Sequence, residues 1–396
     1  MKISKTNIGE FFYKNYYIFA LFFYFLTMFS STLPVGILCA MLILVVILSK
    51  YLNSPTKIRY MGCDVLLIFV YFILSVSSAL LYWGSELPLS VYIQAVSNSL
   101  FPVLFAFYEP NDINGFWKRF TVAYVFTGII GLFLMMQRSS MYVSFCLSRG
   151  YDYRRLSSFI GSIPMGTLGA VAVIASLQMV ITSQGKKGKV LYFLSLICSV
   201  ASMQRSAWLV TLINLVIFHY YCFLKYRLIK YRYLIMEIIL VIVVLIVFKD
   251  TILKVYLEWY DAHLYSESSN KVQEMFSGRS GQWERGLNNS NLYIGSGFGS
   301  RGHKAQAVGY PNYVADGSWV LILCESGILG LLLLVKPIIK GIIKGIYNMR
   351  NLYLPTAVLV IFSLQAIGSN VFELQITAPI FWISLGYILR FNSQNG

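Results

Sequence analysis

Six arginines and one aspartate stand where they could handle a phosphorylated substrate: Arg154, Arg155, Arg205, Arg279, Arg285, Arg301 and Asp316. A guanidinium offers a planar fork of donors that matches phosphate oxygens and never loses its charge. Asp316 directly precedes an apolar run. It can deprotonate or orient a hydroxyl there, or cap the following helix as a short polar residue commonly does. Glu325 lies nine residues on, about 13.5 Å along a continuous helix and on its opposite side, so the two carboxylates do not form a pair. Ser277-Gly278-Arg279-Ser280-Gly281 and Gly295-Ser296-Gly297-Phe298-Gly299 are glycine-dense turns. Such turns can bring backbone N–H groups to an anion, or simply make a loop.

The elements that must position these groups follow from composition. Of 396 residues, 57% are hydrophobic and 12% charged, and the mean hydropathy is +0.66. That excludes an ordinary soluble domain, a disordered chain and a secreted disulfide scaffold, leaving an integral membrane protein. Twelve apolar runs approach the length of a bilayer crossing, at 15–33, 35–52, 61–83, 88–108, 116–137, 159–183, 190–204, 206–224, 233–249, 318–340, 351–369 and 372–390. All are expected to be helices, because lipid tolerates no open strand edge. The fold class is therefore an all-α polytopic membrane protein of about twelve helices in one domain spanning 1–396.

The net charge of +16 does not imply nucleic acid. With both termini in the cytoplasm, most of the 32 basic residues fall in inside loops, as the positive-inside rule requires. Two outside loops are long, 138–158 and 250–317, the second lying between helices nine and ten, and loops of that size commonly carry function. The first holds Arg138, Arg149, Arg154 and Arg155 against Asp152; the later part of the second holds Arg279, Arg285, Arg301 and Lys304 against Glu284. Its earlier part, Ile252 to Tyr260, has the spacing of a helix lying on the outer surface. The run before Arg205 is short, about 22 Å, so Arg205 sits in the outer leaflet, either facing an anion or cavity or snorkelling to the headgroups. Six cysteines lie mostly in apolar runs and three histidines are scattered, so neither a metal nor another cofactor is expected.

The motifs resemble the O-antigen polymerase and O-antigen ligase superfamily of bacterial polysaccharide assembly, membrane glycosyltransferases of the C-type fold. The matching pieces are Arg154-Arg155-Leu156-Ser157-Ser158-Phe159, Gln204-Arg205-Ser206-Ala207-Trp208-Leu209, Ser277-Gly278-Arg279 with Trp283, Gly295 to Gly299, and Asp316-Gly317-Ser318-Trp319 with Glu325-Ser326-Gly327-Ile328-Leu329-Gly330. Together they cover roughly 150–335. Family polymerases carry in two large periplasmic loops an Arg followed eleven positions later by Gly. Arg155 and Gly166 fit; Arg279 leads instead to Ser290, and Arg285 to Ser296, one short of Gly297. Family ligases typically have His-Asn where Asp316-Gly317 stands, which favours polymerase.

The resemblance implies an inner-membrane enzyme active at the periplasmic face, joining polyprenyl-diphosphate-linked oligosaccharides and releasing polyprenyl diphosphate. Its partners would be that substrate, the bilayer and a chain-length regulator protein. On this reading Arg205, Arg279 and Asp316 are catalytic, while Arg154, Arg155, Arg285 and Arg301 bind diphosphate or glycan. Trp283, Tyr293, Phe298, Tyr310 and Tyr313 could stack on sugars, or serve as ordinary interfacial aromatics. The alternatives are a ligase acting on lipid A core or protein, and a lipid-linked glycan flippase; the latter fits the span count but not the unequal halves or the outward gathering of charge.

Overall fold

The structure is a computed structural model that describes residues 8–30, 33–53, 63–81, 87–108, 112–181, 185–220, 281–314 and 316–391. The ninth expected span, 233–249, the expected surface helix at 252–260 and Arg279 lie outside the described residues. Among the described residues every regular element is helical. Five helices are long and apolar enough to cross a membrane: α3 (Cys63–Leu81), α4 (Leu89–Phe107), α5 (Ile113–Gln137), α7 (Ser162–Ile181) and α12 (Ser318–Tyr347). Shorter apolar stretches occur in α2 (Val35–Asn53), α9 (Arg205–His219) and α14 (Ala378–Arg390). The remaining elements are α1 (Ile8–Leu26), α6 (Ser140–Ser148), α8 (Gly185–Ala201), α10 (281–288), α11 (His303–Ala307) and α13 (Met349–Gln365).

The bundle centre is α7, buried along 83% of its apolar window. It packs on α5, α8, α9 and α13. Small residues let these backbones approach: a Cβ on Gly166 would overlap the Gln204 side chain at the α8–α9 turn. On the outside, Phe126, Phe133 and Met136 of α5 are exposed, which is the inverse of a water-soluble surface and suits a membrane-embedded bundle.

Several boundaries differ from the expected ones. The first helix starts at Ile8 rather than 15; Tyr13, ahead of the expected start, is a buried core residue that a hydropathy window treats as polar. The loop 138–158 contains α6, capped by Ser139, whose Oγ accepts from the Tyr142 N–H at 3.3 Å. The last helix begins at Ala378, not 372, and 366–377 is irregular. Asp316 is not the cap of α12: Gly317 occupies the N-cap with φ 105° and no side chain caps the turn.

Two helices are broken within their length. α4 passes through a π turn at Val96–Leu100 and a tighter turn at Phe101–Phe107, a local unwinding that recurs at functional positions. α12 breaks at Gly327, with φ 64° and ψ −174°. The 291–297 loop docks on that break: Ser296 N–H donates to Cys324 O (2.9 Å), Gly297 N–H to Glu325 O (3.1 Å) and Ile328 N–H to Leu292 O (2.8 Å). Gly295 (φ 81°) and Gly327 both need the left-handed region, and a Cβ on either would overlap the backbone opposite. The break lies beyond Glu325, so the stretch that carries Glu325 after Ser318 stays helical.

Candidate functional site

A cavity of about 880 Å³ opens beside the π turn of α4, within the range of ligand sites. Its walls come from five separate stretches: the α1–α2 connection, the π turn of α4, residues 149–164, α11, and the irregular 370–375 segment. The π turn contributes Ser97, Asn98 and Ser99. With its amide nitrogen facing them, Gln375 donates to the carbonyls of Ser97 and Asn98 at 2.6 and 2.8 Å, satisfying backbone groups around the unwound turn.

The 366–377 segment is fixed from several sides. Ser318 Oγ donates to Ser369 O (3.0 Å), Tyr17 Oη to Ile376 O (2.8 Å) and Thr377 Oγ1 to Val371 O (2.7 Å). Irregular backbone inside a membrane protein is tolerated where it lines a cavity or is covered by protein, and residues of this segment line the cavity. This segment presents Glu373. The carboxylate accepts from Asn370 Nδ2 at 2.9 Å and from the His303 backbone N–H at 3.2 and 3.3 Å, with His303 Nε2 4.0 Å away. Burial holds its carboxyl above the usual range, opposed by His303, Asn370 and Lys304.

The cations of the cavity are Arg149, at the C-cap of α6, and Lys304 on α11. Burial lowers the Lys304 ammonium below the ordinary lysine value; Glu373 opposes this and the Arg149 charge adds to it. A half-buried ammonium beside a guanidinium is a place where an incoming anion relieves repulsion. Behind Glu373 lies a second space of 30 Å³, bounded by Glu373, Glu325, Ser318 and Tyr71, enough for water.

Among the residues expected from sequence, Arg301 is buried, and its guanidinium donates to Asn289 O (2.6 Å), Ser296 Oγ (3.4 Å) and the Tyr310 hydroxyl and lies 4.9 Å from the Tyr310 ring centre. Its backbone N–H donates to Glu325 Oε1 at 3.0 Å. Arg155 pairs with Asp152 at 3.2 Å, and Arg154 is exposed, 5.7 Å from the Tyr153 ring centre. Neither lines the cavity, although both belong to the stretch that walls it. Arg285 is exposed on α10, whose Trp283 and Leu287 pack on Val314, Leu321 and Cys324. Trp283 Nε1 donates to the backbone oxygen of Asp316, and Asp316 is not among the cavity's lining residues. Arg205 opens α9, and its side chain is outside the described set. The turn before it is at the cavity end, since Leu156 N–H donates to Ala201 O (2.9 Å). Among the described residues no cluster of His, Cys, Asp and Glu is arranged to hold a metal ion.

Glu373, Asn370 and Gln375 escaped the sequence reading, which absorbed 372–375 into the last span. The run Gly368-Ser369-Asn370-Val371-Phe372-Glu373-Leu374-Gln375 did carry a signal, because an acidic residue among amides inside an apolar stretch is a functional candidate by default. A scan against protein-family models finds no match for this chain, and a search of curated proteins finds none. The resemblance to the polymerase and ligase superfamily therefore rests on the short motifs and their order.

Proposed function

We propose that this protein is a polysaccharide polymerase of the bacterial inner membrane, a glycosyltransferase that joins polyprenyl-diphosphate-linked oligosaccharide repeat units at the periplasmic face. The observation that carries this reading is the 880 Å³ cavity with Arg149 and Lys304 in its wall. Four of the five stretches that build it come from connections, or helix ends beside them, that the charge pattern assigns to the outside; the fifth, the π turn of α4, lies midway along its helix. A site open to that face and to the bilayer suits a substrate whose tail stays in lipid while its glycan reaches water.

In the reaction a hydroxyl of one glycan attacks the anomeric carbon of another, and polyprenyl diphosphate leaves with the electron pair of the broken bond. Negative charge grows on the leaving group, so cations held in a partly dry wall favour the transition state over the ground state. Arg149 and Lys304 take this role from the wall. Arg205, at the start of α9, and Arg279, in the long loop, are the sequence's candidates to join them, with Arg154, Arg155 and Arg285 on the approach from water. Arg301 supports the site by holding the end of the long loop to α12.

The test is complementation of a strain lacking the chain. Wild type should restore a ladder of polymer lengths, and loss should leave single repeat units at the surface. Accumulation of long polyprenyl-linked polymer instead would assign a ligase, and unpolymerised substrate trapped on the cytoplasmic side would assign a flippase.

A further inference from the structure

We propose that Glu373 is the general base of this site, accepting the proton of the attacking sugar hydroxyl, with His303 and Asn370 as the residues that position its carboxylate. This rests on the polymerase reading above.

Three observations meet at Glu373. Its side chain is reachable, 11% exposed, and lines the large cavity that also holds Arg149 and Lys304. Its orientation is set by donors from both sides, the Asn370 amide and the His303 backbone N–H. It shares α11 with the cation pole, since His303 contacts it and Lys304, the next residue, feels its charge. A base held by His303 and an anion-stabilising cation at the next residue of that short helix give the two ends of a displacement: proton removal from the nucleophile, and charge neutralisation at the leaving group.

The step balances without a further reactant. The acceptor oxygen forms its bond to the anomeric carbon as the bond from that carbon to the diphosphate oxygen breaks. The electron pair leaves with polyprenyl diphosphate, and the hydroxyl proton moves to Glu373, which returns it to water through the cavity. The charged and titratable groups facing Glu373 are His303 and Lys304 from α11 and Glu325 from α12, with Arg149 beyond Lys304. Glu325 is buried with its Oε1 engaged by the Arg301 N–H. That leaves Glu373 as the carboxylate of the pair on the large cavity. Asp316, the base expected from the sequence, is outside the lining.

The experiment uses the purified full chain in lipid nanodiscs with a polyprenyl-diphosphate-linked repeat unit, scoring release of polyprenyl diphosphate. Glu373→Gln keeps the shape and an acceptor for the His303 N–H, and should lower turnover by about 10²–10⁴-fold while retaining binding of the lipid-linked substrate. Glu373→Ala should be equally slow and should recover in part when formate is added, which a merely structural role would not produce. Glu373→Gln turning over within about threefold of wild type, or an Asp316→Asn variant that alone shows the loss and the altered pH profile, overturns the assignment. If Glu373→Gln does not insert, the wild-type pH profile decides: a rate unchanged through the acidic range contradicts a carboxylate base. An inactive wild type would sink the polymerase reading itself, whereas an active wild type with an equally active Glu373→Gln sinks only the base.

Discussion

His303 presents its backbone N–H to the carboxylate of Glu373, 70 residues away in sequence, at 3.2 Å from Oε1 and 3.3 Å from Oε2. One hydrogen bond thus ties the end of the long loop to the irregular segment before the last helix, and closes one wall of the cavity.

That contact depends on Gly302, where a Cβ would overlap Glu373 Oε1. Gly302→Ala should push the carboxylate out of place and cost about 1–3 kcal/mol of stability. The expected outcome is a membrane-inserted protein with a lower melting temperature in detergent and shortened or absent polymer ladders. Wild-type ladders and melting would show that the close approach is dispensable.

Arg149 and Lys304 should contribute jointly. A hydrogen bond to a charged group is worth roughly 1.5–3 kcal/mol, so each Ala substitution should lower kcat/KM for the lipid-linked substrate by about 10–100-fold, with the double variant lower still. Arg149→Lys should recover only part of the loss if a forked contact to phosphate is used. Steady-state kinetics in nanodiscs checks both statements.

Activity should follow a bell in pH. Glu373 works as the anion, and burial raises its carboxyl, so the acidic limb falls off at higher pH than for an ordinary carboxylate. Lys304 works as the cation, and burial lowers its ammonium, so the alkaline limb sets in below the ordinary lysine range. Lys304→Arg should move the alkaline limb upward and leave the acidic one in place; a pH–rate series on the two proteins measures this.

Arg301→Ala should act on structure. It leaves Asn289 O, Ser296 Oγ and the Tyr310 hydroxyl without their shared donor, at a cost of about 1–3 kcal/mol for buried polar groups left unmatched. Limited proteolysis should then cut within 289–310 sooner than in wild type, and unchanged cleavage would show that the loop end is held by other means.

Much of the architecture was legible in the sequence because it depends on apolar length alone. The stretches 35–52, 61–83, 88–108, 116–137 and 159–183 each correspond closely to a helix. The start of α1 was not legible, since Tyr13 enters the core through tertiary packing that a hydropathy window does not weigh. Nor was the break in α12, which becomes favourable only when the 291–297 loop supplies partners for the carbonyls of Cys324 and Glu325. For the site, the gathering of positive charge in two outside loops was readable, but not which charges face the cavity. Arg149 and Arg155 are six positions apart; one lines the cavity and the other turns to Asp152. The Glu373–His303 contact joins distant segments, and no local spacing encodes it.

The central claim is that polyprenyl-diphosphate-linked glycan is consumed in this cavity. The most direct measurement incubates the purified protein in nanodiscs with the lipid-linked repeat unit alone and follows product by gel and mass spectrometry. The account predicts glycan lengthening by whole repeat units, with one polyprenyl diphosphate released per bond formed and both lost in the Arg149/Lys304 double alanine variant. Substrate recovered unchanged from the wild-type protein, or lengthening undiminished in that variant, would contradict it.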